Sequence, residues 1–72
     1  MSRYKSTRPD FVVENIYRLA DFRKKAGITQ RELAETAGIA ISLINGYENF
    51  SFPTKEKYNK LAEFFGWQKW ED

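Results

Sequence analysis

The chain contains neither cysteine nor histidine. Without cysteine it forms no disulfide and no thiolate metal site, and without histidine it lacks the commonest zinc ligand and the commonest general base. The carboxylates that remain are spread along helical patterns, with no nucleophile and base in register. We therefore expect no enzymatic activity, no bound metal, no cofactor and no small-molecule ligand.

Long hydrophobic runs are also missing, and the first ten residues are polar and basic. The sequence therefore predicts neither a membrane span nor a signal peptide, and we expect a cytoplasmic protein with no membrane partner. A chain of 72 residues makes one domain, residues 1–72, whose small core has to be stabilised by helix packing or by association between chains. No repeat, low-complexity segment or linker divides it.

The charge of the chain is unevenly distributed, although its net value is only +2. Residues 1–31 hold eight Lys and Arg against three Asp and Glu, a balance of +5, whereas residues 32–72 hold four against seven, a balance of −3. Such asymmetry is typical of a protein with one positive face for phosphate groups, and a solvated helix with scattered charges produces it as well.

The most informative segment is residues 27–48, which has the pattern of two short helices joined by a tight turn. Gly27 can end one helix in the left-handed conformation, and Thr29 with Glu32 three residues later forms a capping box for the next. Gly38 then ends that second helix. This is the layout of a helix-turn-helix, a common device for reading DNA in the major groove.

The second helix of this motif, the third along the chain, has one apolar stripe at helical spacing. The residues of the stripe, which we expect to be buried, are Ile39, Leu43, Ile44 and Tyr47. The residues on the opposite side or its flanks are Ile41, Ser42, Asn45 and Gly46. The helix therefore has one face for the core and one face available to a partner.

Two further helices flank the motif. The first is predicted to begin near Thr7, with Pro9 in its first turn, and to run to about Ala26. The last is predicted to begin at Thr54 and to end at Gly66. No segment has the pattern of a convincing strand.

Residues 19–65 resemble the helix-turn-helix domain of the phage repressor and Cro type, the XRE family. The segments that carry the resemblance are residues 19–30, 32–39, 47–49, 53–54 and 61–66, which occur in order at nearly the family spacing. The resemblance implies an all-α fold, a compact four- to five-helix bundle like that of the lambda repressor, containing the helix-turn-helix.

The function that the resemblance implies is sequence-specific DNA binding by a transcriptional regulator. We expect a Cro- or CI-like repressor of a phage or bacterium, which binds a near-palindromic operator as a homodimer through the third helix in the major groove. It would act in the bacterial cell or the phage-infected host, associated with the nucleoid. The alternative is a helix-turn-helix-derived protein-interaction module, of the antitoxin or anti-repressor type, with weak or no specific DNA binding.

Site residues follow from the resemblance position by position. The base-reading positions hold Ala40, Ile41, Ser42, Asn45 and Gly46. The phosphate-contacting candidates are Thr29, Gln30, Arg31, Asn49 and Lys55. Arg23 and Glu48 match a paired arginine and glutamate that form a structural ion pair. The base-reading set is sparse: Ile41 suits a thymine methyl, Ser42 a base or phosphate, and Asn45 a bidentate pair with adenine.

The ends of the chain and the loop after the third helix depart from the family pattern. Residues 1–7 form a basic arm, and Arg3, Lys5 and Arg8 are candidates for a neighbouring minor groove, although a frayed terminus is equally compatible. Phe50 stands where the family has glycine. Residues 67–72 form a C-terminal tail. We expect the loop between the third and fourth helices and the segment of residues 64–70 to expose an aromatic cluster that mediates a homodimer; the alternative is that both tryptophans close the small core. The dimer candidates are Phe50, Phe52, Phe64, Trp67 and Trp70.

Overall fold

The computed structural model describes residues 8–71. Predictions that concern Arg3, Lys5 and the helix start at Thr7 lie outside the described residues. Within residues 8–71 the fold is all-α, with no strand. Its five helices are α1 (Asp10–Tyr17), α2 (Leu19–Lys25), α3 (Gln30–Ala37), α4 (Ile41–Glu48) and α5 (Lys55–Phe65). No helix in this part of the chain is both long enough and apolar enough to cross a membrane.

The prediction of a single long helix at the start of the chain is wrong, because the chain forms two helices there, α1 and α2, separated at Arg18. Arg18 leaves the helical conformation, with φ −103° and ψ 11°. No proline or glycine lies at the break, and Ile16 and Leu19 on either side of it are both fully buried in the core. Pro9 precedes the first helical residue rather than occupying the first turn.

The ends of α3 and α5 lie where the sequence predicts them, because each of these helices has a local cap at both ends. The Thr54 hydroxyl accepts from Lys57 N at the start of α5. Gly38 and Gly66 end α3 and α5 in the left-handed conformation, with φ 73° and 77°. Backbone amides after these glycines bond back to the preceding turn, as in Ile39 N to Ala34 O at 3.0 Å.

The core collects residues from all five helices and from the turn before α4. Its fully buried side chains are Val12, Ile16, Leu19, Leu33, Ile44, Tyr58 and Leu61. The prediction that Leu43 belongs to the buried stripe is wrong, since it is exposed. Ile44 and Tyr47 define the inward face of α4, and Leu43 lies 100° around the helix from Ile44.

The C-terminal segment packs back onto the helices. Trp67 stacks on Tyr58 and Phe65, with ring centroids 5.6 and 4.9 Å apart. Trp70 N donates to Asn59 Oδ1 at 2.8 Å, and Asn59 Nδ2 returns a hydrogen bond to Trp70 O at 3.0 Å. Both tryptophans are half-buried and pack against the core.

Candidate nucleic-acid interface

The two helices of the helix-turn-helix differ in how they begin. Thr29 Oγ accepts from Glu32 N at 3.0 Å, and Glu32 Oε1 accepts from Thr29 N at 2.8 Å, so a complete capping box begins α3. Ala40 is extended and caps α4 without a side-chain hydrogen bond. The first amides of α4 therefore have no side-chain cap from this residue.

An ion pair joins α2 to the last residue of α4. Arg23 Nε lies 2.6 Å from Glu48 Oε2, and Arg23 Nη2 lies 3.2 Å from Glu48 Oε1. Gln30 Nε2 donates to the same Oε1 at 2.9 Å, and Arg23 Nη1 donates to Ile28 O. Only 13% of the Arg23 side chain and 8% of the Glu48 side chain are exposed. The carboxylate of Glu48 thus connects α2, the start of α3 and the end of α4.

The pKa values of the pair reflect this arrangement. Burial alone would raise the pKa of Glu48, but the hydrogen bonds from Arg23 and Gln30 and the charges of Arg23 and Lys24 outweigh it and lower that pKa below its usual value. The hydrogen bond to Glu48 raises the pKa of Arg23 against the opposing effect of burial. Both groups are therefore charged near neutral pH.

The outer face of α4 is open. Ile41, Ser42 and Asn45 are exposed there, as is Ala40 just before the helix. Ile41 keeps 43% of its surface exposed and lines a shallow groove with Arg31 and Glu35 of α3. This face offers a methyl-rich side chain, a hydroxyl and an amide.

Gly46 differs from the other predicted base-reading residues because it is half-buried. A Cβ added to it would lie 3.7 Å from Ser51 Oγ, so the position is turned toward the loop after α4. Its carbonyl oxygen accepts from Ser51 N at 2.9 Å and from Asn49 N at 3.0 Å. Gly46 therefore takes part in holding that loop against the helix.

The predicted phosphate-contacting residues have different surroundings. Thr29 and Gln30 already bond to Glu32 and Glu48, as described above, and Arg31 is exposed on α3. Asn49 Nδ2 donates to the backbone oxygen of Asn45 at 2.8 Å and to its Oδ1 at 3.1 Å. The Lys55 ammonium lies 5.8 Å from the centre of the Trp70 ring. Asn49 is thus a local cap as well as a surface residue.

A basic surface lies on and beside α2, and the site residues predicted from the sequence do not include it. Arg18, Lys24 and Lys25 line an open cleft together with Asp21 and Phe22. The signal was present in the sequence, since Arg18, Phe22 and Lys25 recur at helical spacing and Lys24 is adjacent to Lys25. This basic surface adds positive charge to α2, the helix from which Arg23 bonds to Glu48 of α4.

Phe50 has a conformation that few aromatic residues adopt. Its φ is 71°, the left-handed region that favours glycine, and it is the only non-glycine residue with positive φ between residues 8 and 71. Its side chain is 61% exposed and meets Tyr17, itself 56% exposed, edge to face at 5.1 Å between ring centroids. The sequence-based set omits Tyr17, whose place one residue after the buried Ile16 indicates an outward direction.

The remaining aromatic candidates are separated by the fold. Phe52 is half-buried, with the Arg8 guanidinium 4.5 Å from its ring centre and Tyr17 beside it. Phe64 is exposed on α5 and packs edge to face on Phe65. The described aromatic residues therefore form one exposed pair, Tyr17 and Phe50, together with Phe64 on another helix.

Comparison with known proteins agrees with this geometry. Searches of curated proteins and of solved structures found no significant match to the chain. A family model described as a helix-turn-helix domain matches residues 16–69, which include α2 to α5, both residues of the Arg23–Glu48 ion pair and Trp67. The match covers well over half of the sequence, so the chain belongs to the helix-turn-helix domain family, a family of DNA-binding regulators.

Proposed function

We propose that the protein is a sequence-specific transcriptional repressor that inserts α4 into the major groove of a near-palindromic operator. The observation that carries this proposal is the contrast between the two sides of α4. Glu48 is held by two residues of α2 and α3, whereas Ile41, Ser42 and Asn45 are exposed. A rigidly held helix with an open outer face is what major-groove reading requires.

The reading residues supply a small set of contacts. Ile41 packs on a thymine methyl group, Ser42 bonds a base or a phosphate, and Asn45 bonds a base edge. Ala40 contributes close backbone approach rather than a side-chain contact, whereas Gly46 is turned toward the loop after α4 and supplies no side chain to a base. With so few contacts, part of the specificity has to come from the shape and deformability of the operator.

Phosphate groups are bound by residues around the start of α3 and the end of α4. Arg31 is an exposed cation on α3, and the Gln30 amide nitrogen retains a second N–H beyond its bond to Glu48. Asn49 and Lys55 complete the set, and the arm with Arg3, Lys5 and Arg8 adds minor-groove contacts. This distribution orients α4 without specifying sequence.

The dimer forms through the exposed aromatic pair of Tyr17 and Phe50. Phe50 retains a left-handed backbone, which costs an L-residue about 1–2 kcal/mol, while most of its ring faces solvent. A strained and exposed aromatic side chain is better explained by an interface than by folding. Two copies joined in this way place two α4 helices in successive major grooves on one side of the DNA, where bound protein blocks polymerase.

Selection from a random duplex pool tests this function. The expected result is an inverted repeat with half-sites about one helical turn apart, bound far more tightly than an unrelated duplex and with a steep salt dependence. Ser42→Ala should weaken binding to the selected duplex. Lys69→Ala, a change of an exposed residue in the C-terminal segment after α5, serves as the control.

A protein-interaction module is the second candidate function, and the exposed Ile41 favours it. An isoleucine that is 43% exposed at the start of α4 suits an apolar partner surface as well as a thymine methyl. In that case no duplex is enriched, binding disappears at physiological salt, and Ser42→Ala has no effect on DNA affinity. Sedimentation that shows only monomer at micromolar concentration without DNA would exclude a preformed dimer.

A further inference from the structure

The basic surface on and beside α2 has no counter-ion within the domain. Its three cations, Arg18, Lys24 and Lys25, are exposed and line one open cleft of about 500 Å³ together with Asp21. Within residues 8–71, none of these four side chains forms an ion pair. Three positive charges around one cleft produce a local positive potential that attracts an anionic group.

This surface opens on the side of α2 that is turned away from the ion pair with α4. Arg23 extends from α2 to Glu48, the last residue of α4. Lys25 follows Arg23 by two residues, so it projects about 160° away from Arg23 around the helix axis. Among the described residues that line the cleft, none belongs to α4. The cleft is therefore separate from the exposed outer face of α4.

Phe22 gives the cleft an apolar wall. Its ring is half-buried, and it packs on Phe65 at 5.7 Å and edge to face on Trp67 at 5.2 Å between ring centroids. The core therefore holds the ring in place while the charged side chains surround it. A ligand that uses both features of the cleft carries anionic groups and an apolar side chain together.

These features favour an acidic polypeptide over a nucleic acid. A duplex backbone presents phosphates and sugars, and it has no apolar side chain to pack on Phe22. Asp21 lies in the same cleft and repels a continuous row of phosphates, whereas a polypeptide can place a backbone N–H beside that carboxylate. The carboxylates of a polypeptide form charge-assisted hydrogen bonds with arginine and lysine.

We propose that the basic surface on and beside α2 binds an acidic segment of a partner protein. Arg18 and Lys25 pair with carboxylates of that segment, and an aromatic or aliphatic side chain of the segment packs on Phe22. The proposal does not rest on DNA binding by α4, because the two surfaces are separate. Where α4 holds a duplex, the same molecule can bring an acidic partner to it.

Nuclear magnetic resonance titration of the full chain with a blocked peptide, Glu-Asp-Phe-Asp-Glu, tests the proposal. The expected result is a saturable shift of the backbone amides of residues 18–25, with the amides of α4 unchanged. A second blocked peptide, Glu-Asp-Ser-Asp-Glu, has the same charge but lacks the side chain that packs on Phe22. It should therefore bind about threefold more weakly.

Single substitutions test the electrostatic part of the proposal in both directions. Arg18→Ala and Lys25→Ala should each weaken binding of the phenylalanine peptide by about two- to fivefold, because each removes one exposed charge pair. Asp21→Asn should strengthen binding by a similar factor, because it removes the negative charge from the cleft. Arg31→Ala removes an exposed cation that lines a different groove, on α3, and should leave peptide affinity unchanged.

The contrary outcomes are distinct. No saturable shift at millimolar peptide would overturn the proposal, as would equal affinity for the two peptides or an equal loss in Arg31→Ala, which would indicate diffuse charge attraction. A short unrelated duplex that shifts residues 18–25 and binds more tightly than the peptide would make this a nucleic-acid surface instead. Failure to select an operator would overturn the DNA-binding function alone. Circular dichroism confirms that each variant retains its helices.

Discussion

Replacing Glu48 with glutamine should destabilise the protein by about 3 kcal/mol at neutral pH. Glutamine keeps the shape of the side chain but removes its charge and turns one of two acceptor oxygens into a donor. The carboxylate accepts from Arg23 at 2.6 and 3.2 Å and from Gln30 at 2.9 Å, so at least one donor then faces another donor. Leaving one charge of a buried pair uncompensated costs about 3–5 kcal/mol, and the oxygen that glutamine retains favours the lower end.

Urea denaturation followed by tryptophan fluorescence measures this effect. A loss of 3 kcal/mol is a large share of the about 4–11 kcal/mol expected for a domain of this length, and it corresponds to a fall in Tm of about 12–24 °C. Glu63→Gln, a change of an exposed glutamate on α5, should stay within about 0.5 kcal/mol of wild type. A Glu48→Gln variant as stable as Glu63→Gln would refute the reasoning, since the pair would then behave as an exposed ion pair.

The pH dependence gives a second readout of the same substitution. Because the pKa of Glu48 is lower in the folded than in the unfolded protein, the unfolded chain takes up this proton first as the pH falls. The contribution of Glu48 is therefore complete above its unfolded pKa of about 4.3 and is lost as the pH falls through the folded value. The stability difference between wild type and Glu48→Gln should shrink over that range, and a constant difference would contradict the assigned pKa direction.

Three further predictions concern Gly46, Phe50 and the two buried tyrosines. Gly46→Ala should stabilise the protein by up to about 1 kcal/mol, because its Cβ meets Ser51 only at ordinary contact distance; lower DNA affinity in the same variant would show that the helix backbone approaches the groove here. Phe50→Gly should be more stable than Phe50→Ala by about 1 kcal/mol in thermal unfolding, because only glycine relieves the positive φ, whereas both variants should be monomeric in sedimentation. Burial raises the pKa of Tyr47 and of Tyr58, so their contribution to stability is complete below a pH of about 10 and is lost as the pH rises through the folded pKa values. In a pH titration, helicity should therefore fall over the same pH range in which tyrosinate absorbance rises.

The features of the fold that the sequence predicts best are those encoded within a few residues. The capping box of Thr29 and Glu32 needs only a hydroxyl and a carboxylate three positions apart, and Gly38 and Gly66 supply the left-handed conformation that ends a helix. Each cap therefore has the same preference in the isolated segment as in the folded chain. The helix-turn-helix follows from such signals.

Features decided by tertiary packing are not predictable in this way. The break at Arg18 has no proline, glycine or side-chain cap to mark it, and helical spacing continues across it, since Ile16 and Leu19 are three residues apart and both buried. Leu43 is apolar and at helical spacing, yet the position of Ile44 and Tyr47 against the core leaves it outside. The partner of an exposed residue is equally hidden, as the hydrogen bond from Asn49 to Asn45 demonstrates.

Neighbouring residues at the end of α4 have different roles in the proposed repressor. The Glu48 side chain is largely buried and joins α4 to α2 and α3, whereas Phe50 has a left-handed backbone and presents an exposed ring beside Tyr17. A change at Glu48 should therefore lower stability and weaken binding to every operator, whereas a change at Phe50 should alter association between copies. If variants of both residues instead lowered affinity by one factor for every duplex and left association unchanged, the end of α4 would act only as a phosphate-binding unit, and the separate roles assigned to these residues would be wrong.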